Sequence, residues 1–179
     1  MTTDAFISMA RHCTRRLRQL KTEYAGTSLS GDEHGRTHIP AIKALAALTG
    51  LTHLEFMLES YADLFLVVDV VIALLPHGFR HLEVVVYRDR PMHLSALMHL
   101  ARLQGLPELL LQVDTATADF MAHDAAYVLG GWSGIRCVRI TGLKSEHIDT
   151  LETARRVLKE GGLPCPTSLH FTDMGHDLT

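Results

Sequence analysis

Apolar and polar positions along the chain keep returning to one frame, L-x-x-L-x-L-x-L, followed by a stretch whose apolar residues are spaced for a helix. The pattern is plainest between Phe79 and Asp114, where the frame occurs twice, as FRHLEVVVYRD and as LPELLLQVD. Phe79, Leu82, Val84 and Val86 fill the first copy, and Leu106, Leu109, Leu111 and Val113 fill the second. The alternation that closes each copy puts one side of a strand into a core. Between the copies, Met92, Leu94, Ala96, Leu97, Leu100, Ala101 and Leu103 recur at intervals closer to those of a helix. Pro91 suits its start, where a missing N–H leaves no intrahelical bond unmade. One strand followed by one helix is the unit.

The same frame recurs at Leu51, Leu54, Phe56 and Leu58, at Ile135, Val138 and Ile140, and more weakly at Pro166, Leu169 and Phe171. A degenerate first copy runs through Leu17, Leu20, Thr22 and Tyr24. The fourth-position residues Leu20, Leu54, Leu82, Leu109, Val138 and Leu169 are separated by 34, 28, 27, 29 and 31 residues. A recurrence of about 28 residues is the mark of stacked repeats, in which each unit buries its apolar side against its neighbours.

In these residues the chain resembles a leucine-rich-repeat protein of the long, ribonuclease-inhibitor-like type. It resembles in particular the repeat halves of fungal F-box proteins, where phrases such as LTHLEF, FRHLEVVV and GLPCPTSLHF are at home. The resemblance implies a right-handed α/β solenoid of about six strand-helix units with a curved parallel sheet. It also implies a non-enzymatic protein-binding role for the concave face, as in the substrate-recognition part of an F-box-like system. Two features depart from that pattern. Many such repeats place Asn or Cys after the strand, and this chain contains no Asn. Asp89, Asp114, Thr115 and Thr141 are expected to serve the turns instead, because short polar side chains bond neighbouring backbone groups. The F-box itself is absent: nothing in Met1 to Leu20 resembles the helical segment that docks such proteins on a ubiquitin-ligase scaffold.

In chain order, Asp4 to Cys13 is expected to form a short capping helix, and residues 26–37, rich in Gly, Ser and charge, a surface loop. Helices are expected over Pro40 to Leu48, Ala62 to Leu75, Asp119 to Leu129 and Ser145 to Glu160, the last ended by Gly161, Gly162 and Pro164. Residues 1–179 form a single domain on this reading. A helix after every strand implies parallel strands joined by right-handed crossovers. Either a solenoid with helices on one side or a doubly wound sheet covered on both would satisfy that. The second needs nearly continuous apolar strands, whereas HLEFMLE, HLEVVVY, CVRIT and SLHFT alternate, so the solenoid is expected.

Charge and composition narrow the function. With 17 Lys and Arg against 20 Asp and Glu, the chain lacks the basic bias of a nucleic-acid binder. Cys13, Cys137 and Cys165 share no metal or redox spacing, which favours a reducing compartment, cytoplasmic or nuclear. Acidic Asp4 and the lack of a long apolar run behind it argue against a secretory signal. Phe65 to Leu75 is the most apolar window, but it holds Asp69 and is roughly half as long as a bilayer requires, so it reads as a core helix and no membrane partner is expected.

No stretch of the sequence completes a catalytic or cofactor motif. Gly26 to Gly31 has phosphate-loop spacing, but Asp32 and Glu33 stand where the motif needs a cation and a hydroxyl. Gly131, Trp132, Ser133 and Gly134 have glycines one residue too close for a nucleophile elbow. The pairs His34/His38 and His77/His81 have helical chelating spacing, but each contains a glycine. No catalytic residue, cofactor or metal is expected, and the chain is expected to be a monomer.

What remains is a surface. The out-facing positions form columns across the sheet, and the expected protein-binding face comprises His53, Glu55, Met57, His81, Glu83, Val85, Tyr87, Glu108, Leu110, Gln112, Arg139 and His170. Glu55 and Glu83 should be neighbours, with His53 and His81 beside them, a quartet suited to a basic segment of another protein. Its association should weaken with salt and as the histidines protonate. The alternative is a small α/β enzyme or ligand-binding domain with its site at the C-terminal ends of the strands, where Asp89, Asp114 and Thr141 would be candidates.

Overall fold

The frame residues converge on one sheet. The structure, a computed structural model, describes residues 8, 12–13, 15–23, 39–58, 62–86, 98–113, 122–143 and 145–173. Strands β1 (Gln19–Glu23), β2 (His53–Leu58), β3 (His81–Val86), β4 (Glu108–Val113), β5 (Cys137–Leu143) and β6 (Ser168–Asp173) form a six-stranded sheet in the order β1-β2-β3-β4-β5-β6. Every pairing is parallel. Leu20, Leu54, Leu82, Leu109, Val138 and Leu169 stand opposite one another across it, so the phase of the repeat is the register of the sheet. The order runs without reversal, whereas doubly wound sheets reverse at a switch point and bind ligands there.

Helices α1 (Ile39–Ala44), α2 (Ala62–Leu74), α3 (Ala122–Gly131) and α4 (Ser145–Glu160) lie between strands, and residues 98–100 are helical between β3 and β4. The first three tighten at their ends into 3-10 turns, Leu45–Ala47, Leu75–His77 and Trp132–Gly134. Such tightening gives terminal carbonyls donors they would otherwise lack. It explains why the α3 region extends past the expected end at Leu129, while α4 matches its expected span of Ser145 to Glu160.

Glycine stops two of these helices. Gly78 and Gly162 have φ of 89° and 64°, the left-handed region open to a residue without Cβ. Phe79 N donates to Leu74 O at 3.4 Å and Gly78 N to Leu75 O at 3.1 Å; Leu163 N donates to Leu158 O at 2.8 Å and Gly162 N to Lys159 O at 3.1 Å. This paired 6→1 and 5→2 closure reverses the chain toward the next strand.

One side of the sheet is the core. Leu54, Phe56, Leu82, Val84, Leu109, Leu111, Val138 and Ile140 pack there with Val67, Val71 and Leu74 of α2, Val128 of α3, and Leu151 and Leu158 of α4. Val67, Val68, Val70 and Val71 are all buried, as a helix flanked by neighbours requires, while Asp69 is exposed and meets Arg102 at 2.9 Å. At the two ends of the sheet Leu20 and Phe171 are only partly buried against this core. Among the described residues no helix is long and apolar enough to cross a membrane.

The loop before β2 is held by a close backbone approach. A Cβ on Gly50 would lie 2.6 Å from the carbonyl oxygen of Arg15, and Arg18 donates from its guanidinium to Gly50 O at 3.3 Å. Backbone cannot retreat as a side-chain tip can, so Gly50→Ala should cost about 1–3 kcal/mol, the usual cost of overpacking. Denaturant titration checks this, and an unchanged midpoint would mean that the Arg15 backbone yields at no cost.

Some expectations fall elsewhere. Residues 26–37, Pro91, Asp89, Asp114 and Thr115 lie outside the described residues, as do most of Asp4 to Cys13. Thr141, expected at a turn, is a strand residue paired with Gln112 and Thr172. The strand continues past it to Leu143 through Gly142, whose φ of 84° accompanies a register shift against β6. A residue inserted there lets β5 run on where alternation alone would end it.

Candidate protein-binding face

Alternation sends every second strand residue away from the core, and the parallel register gathers these residues into columns. Gln19, His53, His81, Glu108, Cys137 and Ser168 form one; Lys21, Glu55, Glu83, Leu110, Arg139 and His170 form the next; Glu23, Met57, Val85, Gln112, Thr141 and Thr172 form the third. Neighbouring strands are about 4.8 Å apart, which is within side-chain reach. The apolar members Met57, Val85 and Leu110 do not belong to the core cluster, which places the columns on the opposite side of the sheet.

A polar chain crosses this face. Thr52 Oγ1 donates to Arg18 O at 2.9 Å and lies 2.8 Å from His53 Nδ1. The rings of His53 and His81 are tilted to each other with centroids 5.5 Å apart. His81 Nδ1 lies 3.0 Å from Glu108 Oε2, and the other oxygen of Glu108 meets Arg139 at 3.2 Å. Lys21 pairs with Glu55 at 2.5 Å, and Ser168 Oγ lies 2.7 Å from His170 Nε2. Glu83 stands between Glu55 and Leu110 in its column and meets no ion-pair or hydrogen-bond partner among the described residues.

The expected quartet is present in register but not in charge pairing. Glu55 and Glu83 do stand opposite each other, and His53 does neighbour His81. Glu55, however, is paired with Lys21, and its side chain is 24% exposed, where a free exposed carboxylate was expected. His81 turns to Glu108. Opposite charges at successive positions of one column, Lys21 then Glu55, were the signal for the first pairing. Glu108 beside His81 in the first column was the signal for the second. Arg139 reaches Glu108 diagonally, from the next column and the next strand.

Val85 corrects the expectation more sharply. Alternation points it outward, yet only 4% of it is accessible. It sits between Met57 and Gln112 in the third column, two long side chains able to lie over its methyl groups. The remaining residues divide by depth: Met57, His53, Glu83 and Leu110 are half-buried, and Gln112, Arg139 and His170 exposed. Tyr87 lies outside the described residues.

The motifs weighed for other chemistry are scattered. Ser133 sits half-buried in a turn that leads from helix into strand, whereas a nucleophile elbow leads from strand into helix. His77 ends the turn after α2 and His81 begins β3, with Gly78 in a left-handed conformation between them, so they share no helix face. His34 and His38, and Gly26 to Gly31, lie outside the described residues. Among the described residues no three His, Cys, Asp or Glu side chains are grouped to hold a metal ion, and the cysteines are free and half-buried.

Comparison with known proteins finds no matching family, no similar curated protein and no similar solved structure. The leucine-rich-repeat resemblance therefore rests on the frame within the chain itself.

Proposed function

We propose that the chain is a right-handed α/β solenoid of leucine-rich-repeat-like units, acting as a non-enzymatic module that binds a basic segment of another protein on the columned face. The observation that carries this reading is Glu83, a half-buried carboxylate near the centre of that face, flanked by Glu55 and Leu110 and without a cationic partner among the described residues. A carboxylate in that setting gains most from a cation that arrives with a partner, because water there is already partly displaced. Met57 and Leu110 beside it offer apolar area for the aliphatic stem of a Lys or Arg. An extended face suits a polypeptide better than a small molecule, whose sites are compact pockets. A role in the substrate-recognition part of an F-box-like system follows from the resemblance.

The test is titration of a lysine- and arginine-rich peptide against the protein and against the double variant Glu55→Gln, Glu83→Gln. The neutral amides remove both carboxylates without setting a new cation against Lys21. Saturable binding should weaken steeply as salt rises and fall about tenfold or more in the variant, the worth of a charge-assisted contact. Equal binding by both proteins would remove this face from the interaction.

A further inference from the structure

The edge of the sheet at which strands begin carries a second surface, and it does not depend on the reading of the columned face. Backbone hydrogen bonds tie together the residues that precede the strands. Thr52 N and His53 N donate to Arg18 O at 2.8 and 3.1 Å, and Arg80 N and His81 N donate to Thr52 O at 2.9 and 3.0 Å. Glu108 N donates to Arg80 O, Cys137 N to Pro107 O, and Ser168 N to Arg136 O, each at 3.0 Å. Arg18, Thr52, Arg80, Pro107 and Arg136 thus form one row across the sheet, with arginine at alternate places.

The segments along that edge are one-sided in charge. Residues 15–18, 48–52, 75–80, 101–107, 132–136 and 161–167 contain no Asp or Glu, and their only full cations are arginines: Arg15, Arg16, Arg18, Arg80, Arg102 and Arg136. Arg102 is engaged by Asp69 at 2.9 Å, and Arg18 reaches the carbonyl of Gly50 at 3.3 Å. Arg80 and Arg136 are exposed and meet no carboxylate among the described residues. Helices end at this edge, so part of the positive charge complements their terminal carbonyls. That role would be met equally well by lysine, whereas a row made of arginine alone presents planar forks that match carboxylates in pairs.

From this row we infer a docking edge for an extended acidic peptide segment. Arg18, Arg80 and Arg136 stand two strands apart, which is about 10 Å. A polyproline II segment has three residues per turn and rises about 3.1 Å per residue, so carboxylates at every third residue share one side and recur about every 9 Å, in step with the arginines. A peptide in this conformation lying across the edge reaches all three without bending, and the absence of carboxylates from the loops removes the repulsion it would otherwise meet.

A labelled peptide with glutamate at every third position and Gly and Ser between is the probe, measured by fluorescence anisotropy at low salt. Its glutamine counterpart and an oligothymidylate of equal charge are the comparators. The glutamate peptide should bind saturably, the glutamine peptide should not, and Arg80→Gln with Arg136→Gln should weaken binding about tenfold or more. The variant Glu55→Gln, Glu83→Gln should leave this binding intact, which separates the edge from the columned face. Undiminished binding by the arginine variant, equal binding of the glutamine peptide, or preference for the oligothymidylate would each overturn the inference. So would self-association, seen by sedimentation and abolished by the arginine variant, in place of peptide binding. If the double variant fails to fold, Arg136→Gln alone carries the test. It should still weaken binding severalfold, and unchanged affinity would overturn the inference.

Discussion

Leu82→Ala and Leu109→Ala should each lower the free energy of unfolding by about 2–5 kcal/mol, the cost of the lost transfer energy plus the cavity left behind. Both side chains are fully buried, and they face each other across β3 and β4 at the fourth position of the frame, with Leu54 and Val138 on either side. β3 and β4 lie at the centre of the sheet, so damage there disturbs packing against strands on both sides. The double variant should depart from additivity, because the two residues share one local packing environment. Equilibrium denaturation followed by circular dichroism measures all three. Wild-type midpoints in both single variants would mean that the frame does not face the core.

Trp132→Ala should be comparably severe, about 3–5 kcal/mol. Trp132 is the largest fully buried side chain and closes the turn between α3 and β5, where its carbonyl accepts from Ile135 N at 2.8 Å. Just before it, a Cβ on Gly131 would come within 3.2 Å of Ala101 and Met98, so the segment that precedes β4 packs directly against this corner. Trp132→Phe, which keeps an aromatic ring, should lose less than half as much. As the chain has 1 Trp, the wild-type emission should be that of an indole shielded from water and should shift red in a single step on unfolding. A red-shifted spectrum in native buffer would place the indole in solvent.

Much of this fold was legible because a parallel sheet in sequential order turns repeat phase into register. Once Leu54, Leu82 and Leu109 were aligned in sequence, the column neighbours followed without further information. Helix existence was legible for the same reason, since apolar spacing reports the buried face. Helix ends were less so: the 3-10 turns at Leu75–His77 and Trp132–Gly134 depend on how terminal carbonyls find donors, which spacing does not encode. The open face was legible in position and not in depth. Val84, Val85 and Val86 are identical in kind, so nothing in that strand says that Val85 is covered. Its burial depends on column neighbours, one strand away on each side. Glu55 has a neighbour of each sign, Lys21 on β1 and Glu83 on β3, and the attraction to Lys21 decides where its carboxylate turns.

The face itself can be tested by position. A photo-crosslinking amino acid placed at Leu110, in the middle of the second column, and in a separate protein at Tyr127, exposed on α3, should behave differently when irradiated with the basic peptide. Capture at Leu110, suppressed by high salt and by Glu83→Gln, with none at Tyr127, is the result the account predicts. Capture at Tyr127 and none at Leu110 would contradict it.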